Sequence, residues 1–277
     1  MIFPRKRGKV IGARTKEPWA IMGRFASTVA LYEELRPPYP AEFFRAVAEC
    51  LKLSRKHALI DLGTGPGLLA LGFAPYVGRI VGVDPEPGMI AAAREAAARA
   101  GREFTLIEGR AEDLGPDIGS FDLVTIGRAL HWMERSALGA LFARLVAPQG
   151  VVVVCSSVSA PDDRNPWLGD YDAARRAWSE ESLWLDSRRG DRAHRDRAFM
   201  LEGTGFHASE RIRVETTHDV SIGDLARRVL TFSSSSPAAL GDRVEAMLAD
   251  VEQRLLPFGR DGVVTEAIVS IAQIVRR

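Results

Sequence analysis

The sequence predicts a doubly wound α/β fold. Its sheet should be mostly parallel and seven-stranded, with an antiparallel last strand and helical cap segments. Three observations carry this. The apolar run Ala58–Leu62 passes through Asp61 into a turn with glycines at alternate positions, Gly63, Gly65 and Gly67. A second apolar run from Arg79 to Val83 ends in another acid, Asp84. Short apolar runs then alternate with helical patterns as far as Val158, which implies parallel pairing with right-handed crossovers.

The elements follow in order. After the Gly-rich turn, Leu68–Val77 reads as a helix and Arg79–Val83 as the second strand. Met89–Ala100 is an alanine-rich helix stopped by Gly101, and Phe104–Glu108 is a third strand. Phe121–Ile126 is a fourth strand, Ala137–Val146 a helix and Val151–Val158 a fifth strand. The unbroken Val151–Val154 run fits a strand covered on both faces.

Past Val158 the alternation stops. Trp167, Tyr171, Ala174 and Trp178 recur at helical spacing, as a packed amphipathic helix or as an aromatic lid. Phe206–Ser221 reads as a long strand and Glu266–Val275 as the last one. Between them Ser236 is placed to cap a helix with Pro237 at its first position. Leu240, Val244, Met247, Val251 and Leu255 form the apolar stripe of that helix, and Pro257 stops it.

At 277 residues the chain has room for one large α/β core with a small cap. A net charge of +1 argues against a broad nucleic-acid or membrane footprint. Basic residues do crowd the start (Arg5, Lys6, Arg7, Lys9, Arg14, Lys16), and residues 1–24 are expected to form a mobile tail. Residues 25–277 then form a single domain with cap segments near 25–45, 160–200 and 222–260. No apolar run suits a secretory signal or a membrane span. Cys50 and Cys155 lack metal-ligand spacing and read as buried free thiols. A cytoplasmic protein without metal is expected.

Spacing decides what the turn binds. A dinucleotide turn, G-x-G-x-x-G, would place its third glycine where Leu68 stands, which disfavours a nicotinamide dehydrogenase. Here the order is Asp61-x-Gly63-x-Gly65-x-Gly67, and Asp84 ends the next strand, where it can accept two ribose hydroxyls.

With Gly109-Arg110-Ala111-Glu112-Asp113-Leu114 and Phe121-Asp122-Leu123-Val124 leading to Ala129-Leu130-His131-Trp132, these residues resemble class I methyltransferases dependent on S-adenosylmethionine (SAM). The chain is most similar to their small-molecule type and to the group related to trans-aconitate methyltransferases. Phe25, Tyr32 and Arg36-Pro37-Pro38-Tyr39-Pro40 resemble that group's entry segment, and Leu230-Thr231-Phe232-Ser233 a later stretch of it. The resemblance implies a Rossmann-like methyltransferase fold, SAM as cofactor, S-adenosylhomocysteine as product and a small-molecule acceptor.

Carried over residue by residue, it implies that Gly63, Thr64, Gly65 and Gly67 hold the methionine half of SAM. Asp61 would help orient the ammonium and Asp84 take the ribose. Pro85, Met89, Ala111 and Glu112 would lie about the adenine. Relatives often carry glutamine where Arg128 stands, and aspartate where Arg110 stands. Arg128 would add a positive charge beside the cofactor.

His131, just past the fourth strand, is the candidate general base, set against a role in closing the pocket wall with Trp132. His57, at the opposite end of the first strand, and His194, His207 and His218 read as surface or packing residues. Tyr32, Arg36 and Tyr39 are candidates for a cap that folds over SAM and shapes the acceptor pocket, with Arg36 gripping a carboxylate, or else belong to an N-terminal helix ended by Pro37-Pro38 and packed by its aromatics. Two other readings stay open. A partner protein of the same fold without catalysis would look identical here. A base-modifying nucleic-acid methyltransferase is disfavoured, because Gly127-Arg128-Ala129-Leu130 stands where [DN]-P-P-[YFW] would be expected.

Overall fold

The computed structural model describes residues 31, 34–179 and 200–277. Its centre is one seven-stranded sheet in the order β3-β2-β1-β4-β5-β7-β6. The strands are β1 (Ala58–Leu62), β2 (Arg79–Asp84), β3 (Thr105–Glu108), β4 (Phe121–Gly127), β5 (Val146–Ser159), β6 (His207–Ser221) and β7 (Val263–Arg276). β1 pairs in parallel with both β2 and β4. β7 inserts antiparallel between β5 and β6, as expected. The strand order reverses direction at β1, which opens a crevice between the carboxyl ends of β1 and β4.

Both faces are covered. On one, helix α1 (Ala41–Cys50) and helix α2 (Leu68–Phe73) bring Phe43, Phe44, Leu69 and Phe73 against Leu59, Leu123, Val151 and Val153. On the other, Ile60, Val81, Val124, Val152 and Val154 meet Leu138, Leu141 and Phe142. The last three belong to helix α4 (Arg135–Leu145), while helix α3 (Pro87–Arg99) packs on β2 and β3. The valine run of β5 thus sends alternate residues to opposite layers.

A cap lies past the C-terminal edge of β5. Helix α5 (Leu168–Trp178), helix α6 (Ile222–Arg228), the short helix α7 (Pro237–Leu240) and helix α8 (Val244–Leu255) share one apolar cluster. Trp167, Tyr171 and Ala174 are buried in it, so this stripe packs a helix and does not form a lid.

Three boundaries differ from expectation for local reasons. α2 stops at Phe73, short of Val77, because Pro75 has no N–H to extend the ladder. β5 starts five residues early through a bulge, in which Phe121 pairs with Val146 but Leu123 with Val151. The single helix expected after Ser236 is split at Gly241, whose φ of 61° breaks the right-handed path. Leu240, Met247, Val251 and Leu255 are nonetheless buried together. Ser236 makes no side-chain cap bond.

Cys155 is buried and free, but Cys50 is exposed at the end of α1, so the expectation of two buried thiols is corrected. Residues 1–30, Tyr32 and His194 lie outside the described residues. Among the described residues no helix is long and apolar enough to cross a membrane.

Candidate functional site

The turn after β1 is shaped by its glycines. Gly63, Gly65 and Gly67 have φ of 68°, 54° and 87°, in the left-handed region that a Cβ disfavours. The N–H groups of Gly63 and Thr64 both donate to Val83 O at 2.9 Å, pinning the turn against the end of β2. A Cβ on Gly63 would sit 2.4 Å from the Ala129 Cβ, so the turn and the loop after β4 approach as only glycine permits.

Two buried carboxylates stand beneath this turn. Asp61 is 1% exposed and accepts the hydroxyls of Thr64 (2.8 Å) and Thr125 (2.7 Å). Burial pushes its carboxyl up to about 6, against the pull of the two threonine bonds, and the Asp84 charge adds to the rise. Asp84 is 8% exposed; one oxygen accepts Gly65 N–H at 2.8 Å and the other Glu86 N–H at 3.0 Å. Burial raises it too, with both backbone bonds opposing.

These groups line a cleft at the sheet's carboxyl edge. Gly63, Thr64 and Gly65 form one side, with Asp61 and Asp84 below them. Pro85, Met89, Ala111, Glu112, Arg128, Tyr39 and Trp132 also line the cleft. Glu112 is held in place by accepting Glu134 N–H at 2.7 Å and Arg110 at 3.3 Å.

Arg128 follows β4 with φ of 56°, in the left-handed region that residues with a Cβ seldom adopt. Its guanidinium donates to Pro37 O at 2.6 Å and Ser157 O at 2.8 Å, and lies 5.0 Å from the centre of the Tyr39 ring. Ser157 Oγ also donates to Pro38 O at 2.6 Å. Arg128 and Ser157 thereby tie residues 37–39 to the sheet edge and set Tyr39 at the cleft wall.

Three expected residues stand elsewhere. His131 is half-buried with its ring 4.8 Å from that of Trp132, but only Trp132 lines the cleft. Arg36 faces the cap: it donates to Thr231 O at 2.8 Å and lies over the Phe232 ring. Gly67 begins α2 just behind the cleft-lining turn. Conversely, Glu86, Leu69, Val83 and Met133 line the cleft without having been singled out. Glu86, two residues past Asp84, was the one with a positional signal. Burial raises its carboxyl, as do the charges of Asp84 and Glu108. Among the described residues no group of three or more His, Cys, Asp or Glu is placed to hold a metal.

Residues 59–150, which contain the turn, both acids and the β4 loop, match the family model described as a methyltransferase domain. Those residues form a methyltransferase domain. An uncharacterised methyltransferase of Mycobacterium tuberculosis is 29% identical over 231 residues, covering 81% of this chain and 85% of its own. The fold of the methyltransferase domain and its cap matches a putative type II methyltransferase from Anaeromyxobacter dehalogenans. That match has a TM-score of 0.60 at 20% identity and covers 87% of this chain and 97% of that one. A SAM-dependent methyltransferase from Thiobacillus denitrificans, solved with S-adenosylhomocysteine, matches with a TM-score of 0.50 at 13% identity. It covers 89% of this chain and 97% of its own.

Proposed function

We propose that the protein transfers a methyl group from SAM to a small-molecule acceptor, by in-line displacement, in the cleft between β1 and β4. The observation that carries this reading is the bond from Gly65 N–H to Asp84 at the cleft floor. It fixes a ribose-accepting acid beside a turn whose backbone approach excludes side chains.

The lining fits the cofactor. SAM carries an ammonium and a sulfonium, and Asp61, Asp84, Glu86 and Glu112 give the cleft a negative field against Arg110 and Arg128. Gly63, Thr64 and Gly65 hold the methionine half, with Asp61 toward its ammonium. Asp84 takes the ribose diol, and Pro85, Met89, Ala111 and Glu112 border the adenine. Tyr39, Arg128 and Trp132 close the side from which the acceptor enters. When bound, SAM supplies an already activated methyl group, so alignment and exclusion of water are what the chain must add.

No histidine lines the cleft among the described residues, which favours an acceptor that needs no proton removed. A carboxylate is such an acceptor: its oxygen bonds the methyl carbon as the carbon–sulfur bond breaks, the electron pair staying on sulfur. The sequence resemblance to the trans-aconitate methyltransferase group points the same way. The free cysteines suit a reducing, cytoplasmic setting.

The test is calorimetric titration of the full chain with SAM, S-adenosylhomocysteine and NADH. Binding of the first two without the third is expected. Retention of NADH alone, or of none, would overturn the reading.

A further inference from the structure

β1 and β4 run side by side in parallel, and their register sets Asp61 directly beside Thr125. Both side chains therefore rise from the same face of the sheet, near its carboxyl edge. Asp61 lines the cofactor cleft; Thr125 is fully buried and does not. The Thr125 hydroxyl donates to Asp61 Oδ1 at 2.7 Å, and the Thr64 hydroxyl donates to Oδ2 at 2.8 Å. Each carboxylate oxygen has one hydroxyl donor and keeps a further lone pair for another group.

Burial works against the charge on Asp61, and the hydroxyls are what oppose it. The Thr125 bond pulls the carboxyl down most, ahead of the Thr64 bond, with a smaller pull from the Ala70 amide. The surrounding charges give little help. On β2, Asp84 raises the carboxyl further. Helix α2, which covers this face, carries no titratable side chain. On β4, Asp122 stands at the far end and accepts Ala58 N–H at 2.8 Å. Arg128 and Glu86 share the cleft, but the guanidinium of Arg128 is turned to Pro37 O and Ser157 O.

The two threonines differ in standing. Thr64 belongs to the cleft-lining turn, whereas Thr125 sits on a central strand paired on both sides, with β1 and with β5. A donor built on a strand is more precisely placed than one on a loop. Thr125 therefore offers Oδ1 a fixed hydrogen whatever the turn does, and it fixes the plane in which the remaining lone pairs of Asp61 face the cleft.

We propose that Thr125 is a positioning residue: it keeps Asp61 charged and aimed at the amino-acid end of SAM. The proposal rests on the methyl-transfer reading and deepens it. An ionised carboxylate accepts the ammonium in a charge-assisted bond, whereas a protonated one loses that attraction. Thr125 acts only through Asp61, because its own side chain does not reach the cleft. Valine has the shape of threonine without the donor, and serine keeps the donor without the methyl group.

The experiment measures, between pH 5 and 7.5, the affinity of the full chain for S-adenosylhomocysteine and for 5′-methylthioadenosine, a nucleoside without the ammonium. The ratio of the two affinities isolates the ammonium, since a change at Asp84 acts on the nucleoside they share. In the wild type the ratio should fall with acid about a midpoint near 6, as Asp61 takes up a proton. Thr125→Val should move that midpoint up by about one unit, roughly one hydrogen bond to a charged group. At pH 6.5 S-adenosylhomocysteine should then bind roughly threefold more weakly, with 5′-methylthioadenosine unchanged. Thr125→Ala, a second variant without the donor, should shift the midpoint the same way, and Thr125→Ser should restore it. A wild-type ratio flat with pH, a midpoint unmoved in both donor-free variants, an equal shift in Thr125→Ser, or a matching loss of 5′-methylthioadenosine affinity would each overturn the proposal. Failure of the wild type to bind S-adenosylhomocysteine at any pH would instead remove the functional reading itself.

Discussion

Asp84 accepts the Gly65 amide at 2.8 Å, so the acid ending β2 and the turn following β1 are one rigid unit. The carboxylate's second oxygen accepts Glu86 N–H, which fixes the opposite side. Each oxygen retains a lone pair for a ribose hydroxyl. Burial, which raises Asp84, makes an ionised carboxylate costly here unless donors surround it. A bound diol supplies two more donors, so cofactor binding and ionisation of Asp84 support each other.

Asp84→Asn keeps the shape but removes the charge and turns one acceptor into a donor. A charge-assisted hydrogen bond is worth roughly 1.5–3 kcal/mol. SAM affinity should fall about ten- to a hundredfold, measured by calorimetry at pH 7.5. Unchanged affinity would take Asp84 out of the site.

Gly63→Ala places a Cβ 2.4 Å from that of Ala129, at a φ of 68°. Left-handed backbone costs roughly 1–2 kcal/mol for a residue with a Cβ. Overpacking against a loop that itself lines the cleft adds about 1–3 kcal/mol. Urea unfolding should show a loss of at least about 2 kcal/mol, with weakened SAM binding. A variant as stable as the parent would mean that the two loops are not held at this distance.

The sheet was legible in the sequence because each strand is a short apolar run bounded by turn residues, and because alternation with helices dictates parallel order. The two acids and the glycines were legible because their chemistry depends on local spacing. Arg128 illustrates the limit. Its position beside the cofactor turn followed from sequence, but its bonds to Pro37 O and Ser157 O join segments far apart in the chain. The pairing of Arg228 with Glu266 is of the same kind, 38 residues apart and between a cap helix and the antiparallel strand. Backbone carbonyls as partners leave no residue-type signal at all. The placement of His131 behind Trp132 turned on a single 3-10 turn at Leu130–Trp132, whose orientation periodicity does not encode.

Asp61 gives a pH signature. Its folded carboxyl lies near 6, above the ordinary 3.8. The folded protein therefore binds more protons than the unfolded chain between about pH 4 and 6, and stability falls as pH rises through that window. Asp61→Asn is neutral throughout and lacks this slope. The Tm of wild type minus that of Asp61→Asn should increase as pH is lowered from 7 to 5, by a shift equivalent to about 1–3 kcal/mol. A difference flat with pH would show that Asp61 titrates normally.

Arg228 and Glu266 form a bidentate pair with side chains 5% and 0% exposed, joined by Ser159 and, at 3.3 Å, by His218 Nε2. Burial raises the Glu266 carboxyl, but Arg228 outweighs it and holds the group below its ordinary value. Removing either partner strands a charge in the cap. Arg228→Met and Glu266→Met should each cost about 3–5 kcal/mol in urea unfolding, whereas the double variant should recover most of the loss. The coupling energy of that cycle decides between two roles. A large recovery in stability would show that each charge is needed only because the other is buried beside it, since an apolar pair of similar volume packs the cap equally well. Strictly additive losses would instead show that the two side chains contribute independently, and that the ion pair does not organise this part of the fold.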